Sequence, residues 1–93
     1  MKNLIYESTM ANNADTAYMI NTRTRLLDLE RLGRPITIHY HCRRMITPYS
    51  CIDTPQEPVT LAKFTLHGGL IYYKKDRFNW VTISMDDIDA IYA

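Results

Sequence analysis

The stretch Pro35-Ile36-Thr37-Ile38-His39-Tyr40-His41-Cys42 alternates strictly, with Ile36, Ile38, Tyr40 and Cys42 on one face and Thr37, His39 and His41 on the other. Successive side chains leave a β-strand on opposite sides, so period-two alternation marks a half-buried strand. Read this way, Cys42 joins Ile36, Ile38 and Tyr40 in the core, and the two histidines share the opposite face.

A helix is predicted just before this strand, over residues 22–33. Leu26, Leu27 and Leu29 form an apolar stripe at helical spacing that Leu32 extends, while Asp28, Glu30 and Arg31 fall largely off it. Gly33 supplies a C-cap, and Pro35 prevents continuation. Residues 1–21 are less decided. Lys2 to Tyr6 fits a short edge strand, and Asn12, Asn13 and Asp15 suit turns or an N-cap. Residues 14–22 fit strand and helix alike: Tyr18, Ile20, Thr22, Thr24 and Leu26 alternate, whereas Tyr18, Met19, Leu26 and Leu29 share a helical face.

Residues 35–92 read as β-rich. Arg43-Arg44 and Thr47-Pro48 mark the end of the first strand, a turn or an edge excursion, and a further strand is expected near Tyr49–Ile52. Asp53 to Pro58 is a polar loop with two prolines, which cannot donate to a ladder. Val59 to Leu66 is a strand with Ala62, Phe64 and Leu66 on one face, and His67-Gly68-Gly69 is a tight turn into Leu70–Lys74. After the charged turn Lys74-Lys75-Asp76-Arg77, Trp80 to Met85 alternates with Val81, Ile83 and Met85 inward. Ser84 caps one helical turn, and Ile88 and Ile91 plug an end of the core.

The sum is a single α+β domain: an N-terminal helix followed by a small antiparallel SH3-like or Sm-like β-barrel, or a strongly twisted sheet. At 93 residues the chain buries roughly 60–65% of the surface its unfolded form exposes. Eleven basic against ten acidic residues give a charge of +1, too balanced for a protein that coats DNA nonspecifically. No apolar run approaches membrane-spanning length, and Glu7 comes too early for a signal peptide, so a cytoplasmic protein without membrane contact is expected. Cys42 and Cys51 are read as reduced, partly buried thiols, although a hairpin centred near Ile46 would let them face each other.

Gly33-Arg34-Pro35-Ile36-Thr37-Ile38-His39-Tyr40, together with the closing Val81-Thr82-Ile83-Ser84-Met85-Asp86-Asp87-Ile88-Asp89-Ala90-Ile91, resembles small barrel domains of the YolD-like and WYL-type class. That resemblance implies a small-barrel fold and a regulatory role. YolD-like proteins occur in Gram-positive bacteria and their phages, so an accessory protein of a phage or mobile element is implied as well. The Trp-Tyr-Leu triplet of the WYL class is missing, and no functional residue is carried over.

The candidate chemistry is sparse. His39 and His41 project from one face about 7 Å apart at the backbone, a spacing that suits two zinc ligands, but two surface histidines are the simpler reading. A Cys42 or Cys51 thiolate activated by His67 has no local support. Asp86, Asp87 and Asp89 lack the ligand spacing of a calcium loop. No cofactor and no enzymatic activity are expected.

Surface charge with aromatics is more suggestive. Residues 23–44 carry six arginines, Arg43 and Arg44 at the strand's end among them, against Asp28 and Glu30. Tyr72, Lys74, Lys75, Arg77 and Trp80 gather on the last hairpin. Aromatic and arginine side chains are enriched at protein interfaces, and aromatics beside cations also hold single-stranded nucleic acid. The expected function is a non-enzymatic binding module that modulates a larger protein. The alternatives are a nucleic-acid or nucleotide binder and, third, a metal protein through His39 and His41. Self-association is open if a strand edge is left free.

Overall fold

The computed structural model describes residues 2–9 and 16–93. Its elements run β1 (Leu4–Glu7), α1 (Thr16–Leu32), β2 (Ile36–Thr47), β3 (Ser50–Pro55), β4 (Val59–Leu61), β5 (Thr65–His67), β6 (Leu70–Lys74), β7 (Trp80–Ser84), a 3-10 turn (Met85–Asp87) and β8 (Ile88–Tyr92). The chain is α+β, with one helix described and every described strand pairing antiparallel. Among the described residues the strands form two sheets and no closed barrel: one has the order β1-β8-β2 with β3 and β4 both on the far side of β2, and the other has the order β5-β6-β7.

The helix begins earlier than residue 22, since Thr16 is already helical, and this resolves the ambiguity over residues 16–22. The proposed caps Asn12, Asn13 and Asp15 lie outside the described residues. Tyr18, Met19, Thr22, Leu26 and Leu29 turn toward the core at helical spacing. Leu27 and Leu32 do not join them, being 43% and 65% exposed, so the contact face is narrower than the leucine pattern suggests. The Tyr18 hydroxyl accepts from the Glu7 backbone N–H at 3.0 Å, which ties the helix to β1. At the C-terminus Gly33 takes φ 69°. Its N–H donates to Glu30 O at 3.1 Å and the Arg34 N–H to Leu29 O at 2.9 Å, the paired bonds of a Schellman cap.

Ile36 and Ile38 are 1% and 0% exposed, as the alternation requires. They meet Leu26, Ile71, Ile88 and Ile91, each fully buried, between the helix and the two sheets. Ile88 and Ile91 lie on a strand rather than a helical plug. Three residues apart on a regular strand they would face opposite ways. The register on β2 slips between His39–Ala90 and Tyr40–Ile88, leaving Asp89 as the extra residue of a bulge, and both isoleucines then point inward. A similar slip at Ile5 lets the neighbours Ile5 and Tyr6 both be buried.

The Val59–Leu66 strand is split. Leu61 and Phe64 are buried while Ala62 is exposed, because the chain bends at 62–63 to pass from one sheet to the other. Gly68 and Gly69 take φ 58° and 79°, the two positive values that a two-residue hairpin turn between His67 and Leu70 demands.

Ser84 does cap the following turn, its Oγ accepting from the Asp86 N–H at 3.2 Å. Asp53 to Pro55 proves to be strand, paired with Arg43 to His41.

Candidate functional site

Beyond Tyr40 the core stops but β2 does not. Residues 41–47 pair only with β3, and the β8 ladder ends at Tyr40. The result is a two-stranded arm turned at Pro48-Tyr49, with its root sealed by the Gln56 N–H donating to Tyr40 O at 3.0 Å. Every residue of β3 is exposed. Met45, Ile46, Tyr49 and Ile52 are 69%, 59%, 98% and 49% exposed. A two-stranded hairpin is marginal alone in water, so the arm depends on its root.

His41 sits at that root. Its ring is 16% exposed, with Nδ1 2.9 Å from Asp89 Oδ1 on the sheet and Nε2 3.4 Å from Asp53 Oδ1 on the arm. At that length the second contact is a close approach rather than a hydrogen bond, and Nε2 is buried without a hydrogen-bond partner. His39 instead meets the Tyr92 ring in a T-shaped contact, centroids 5.3 Å apart. The two histidines therefore have separate surroundings, and among the described residues no group of three His, Cys, Asp or Glu side chains is placed to hold a metal ion.

The arm also corrects the reading of both cysteines. Cys42 is not in the core: it lies on the arm, and it and Cys51 are exposed and free. Cys42 pairs with Thr54 and Met45 with Cys51, so the turn falls beyond Ile46 rather than at it. Three steps apart along β2, the two positions put the thiols on opposite faces of the ribbon, where no disulfide can form between them.

The cations and aromatics expected to act together divide between three places: the arm, a groove and the β6–β7 turn. Arg44 is exposed on the arm beside the Arg43 position, which pairs with Asp53. Tyr72, Lys74, Lys75 and Trp80 line a groove of about 1280 Å³ whose walls come from the end of α1, from β4 and from β6 and β7. Lys74 and Trp80 are register partners, with the ammonium 5.1 Å from the indole centroid. Tyr73, on the same wall, has its hydroxyl pKa raised, by burial first and then by Tyr40.

Arg77 lies outside the groove, in the β6–β7 turn, over the Phe78 ring at 5.8 Å. That turn is knotted by Asp76, whose carboxylate accepts from the Phe78 N–H at 2.9 Å, the Asn79 N–H at 3.1 Å and the Asn79 side-chain amide at 2.8 Å. The Asn79 amide, then the Phe78 N–H, hold its pKa below the usual carboxylate value.

Arm residues Met45, Ile46 and Ile52 were not singled out from sequence, nor was Lys63 in the groove. The one available signal was that alternation breaks at Arg43-Arg44 while β-forming residues continue to Ile52. Among the described residues no helix is long and apolar enough to cross a membrane. Comparison of the chain with protein-family models, with curated proteins and with solved structures gives no match. The resemblance to YolD-like and WYL-type domains therefore rests on the residues quoted for it.

Proposed function

We propose that the chain is a non-enzymatic binding module that docks on, and modulates, a larger protein through its arm. The observation that carries this is the arm itself: Met45, Ile46, Tyr49 and Ile52 stand exposed on a ribbon that the body of the fold does not cover. Removing such side chains from water stabilises a complex by about 25 cal/mol per Å², and a ribbon with open backbone edges also offers hydrogen bonds to a partner strand. Arginine and tyrosine at its surface are the residue types that dominate interface energetics.

We also propose that the body is a small SH3-like barrel in an open form. Support comes from the order of its parts: a long hairpin from β2, the β5-β6-β7 meander, a 3-10 turn, and a last strand that returns to β2. Two exposed free thiols on separate faces suit a reducing compartment such as the cytoplasm.

The test is affinity capture from native host cells with the wild-type chain and with Met45→Ser/Ile46→Ser/Ile52→Ser, whose substitutions touch no buried residue. A protein held in stoichiometric amount by the first and lost by the second supports the reading. A partner held equally by both would place docking elsewhere.

A further inference from the structure

We propose that the groove between the two sheets binds an acidic, extended peptide laid along the free edge of β4. This goes beyond docking through the arm and does not depend on it.

Charge points to the sign of the ligand. Arg31, Arg34, Lys63, Lys74 and Lys75 line the groove against Glu30 and Glu57. Arg31 also pairs with Asp28 at 3.2 Å, and with that carboxylate counted, five cations against three leave a surplus of two, where the whole chain carries only +1. The groove thus concentrates a positive field over low-dielectric walls, which draws and holds anions.

Backbone geometry points to its shape. All three residues of β4, Val59, Thr60 and Leu61, line the groove. Successive side chains of a strand face opposite ways, so a groove that touches them all runs along the strand's edge. β4 pairs with β2 on one side only, so its other edge has unpaired N–H and C=O groups among the described residues. An added strand would satisfy them, with alternate side chains entering the apolar wall of Leu29, Phe64 and Val81.

Single-stranded nucleic acid fits less well. Base stacking needs several free aromatic faces in series; Trp80, 60% exposed with the Lys74 ammonium against its ring, offers one, but Tyr40, Tyr72 and Tyr73 are half-buried. A second copy's arm fits poorly too, since Arg43 and Arg44 outnumber its Asp53.

Trp80 is the chain's one tryptophan and lines the groove, so its fluorescence reports occupancy. The full chain is titrated with three probes: a peptide of alternating glutamate and valine about ten residues long, the same peptide with lysine for glutamate, and an oligothymidylate of similar length. The expected result is a saturable shift with the acidic peptide at least about tenfold tighter than with the other two. Lys74→Glu/Lys75→Glu should weaken it by about tenfold or more, and so should N-methylation of alternate peptide amides, which removes edge hydrogen bonds without altering the protein. The arm variant Met45→Ser/Ile46→Ser/Ile52→Ser should bind it as wild type does, which separates this site from the arm. No shift with the acidic peptide, equal binding of the lysine peptide, tighter binding of the oligonucleotide, or indifference to N-methylation would each overturn the proposal.

Discussion

His41 Nδ1 lies 2.9 Å from Asp89 Oδ1, joining the first residue of the arm to the bulge residue of β8. The bulge that turns Ile88 and Ile91 inward leaves Asp89 outside the ladder, free to meet the histidine. One backbone irregularity therefore serves both the core and the root of the arm.

Asp89→Ala should accordingly loosen the arm more than the core. The lost hydrogen bond is part-exposed, so the cost in global stability is about 1 kcal/mol. Hydrogen exchange should show faster amides across 41–55 with β6 and β7 unchanged. Uniform acceleration through the chain would mean that the contact acts on the whole fold and not on the arm.

Leu26 contrasts with Leu27 beside it. Leu26 is 0% exposed in the core, whereas Leu27 is 43% exposed. Leu26→Ala should cost about 3 kcal/mol, from lost burial and the cavity left behind. Leu27→Ala should change stability by no more than about 0.5 kcal/mol. Urea unfolding of the two variants checks the pair, and equal losses would contradict the placement of the helix face.

The helix stop, the core residues of β2 and the Gly68-Gly69 turn were legible because each rests on local chemistry: a glycine at positive φ, a proline, a period of two. What the sequence did not disclose depends on register. Nothing in residues 36–47 says that β8 stops at Tyr40, so alternation carried Cys42 into a core that ends before it. The same holds for the groove. Trp80 and Lys74 are neighbours on one hairpin, but Lys63 shares the groove with them because the chain bends at 62–63 between sheets. Arg77, close in sequence, turns to Phe78 instead.

Asp76 gives a pH prediction. Its folded pKa is depressed by the Asn79 amide first and the Phe78 N–H next. A depressed carboxylate adds stability that is present above its unfolded pKa, about 3.9, and is lost as pH falls through the folded value. Asp76→Ala should therefore lower the urea midpoint at neutral pH and flatten its decline below about pH 4. An unchanged acid limb would mean that the turn does not report on the folded state.

The two thiols supply the last expectation. Cys42 and Cys51 are exposed, free and on opposite faces of the arm. Both should react with a thiol reagent in the native protein at rates close to those of the unfolded chain, since neither is shielded. Mild oxidation at low concentration should leave a monomer with two free thiols, because the ribbon would have to shift register to bring the sulfurs together. At high concentration any disulfide should join two chains, and Cys42→Ser and Cys51→Ser should each still allow it. An intramolecular bridge formed without loss of structure would restore the hairpin centred near Ile46 and with it a different arm.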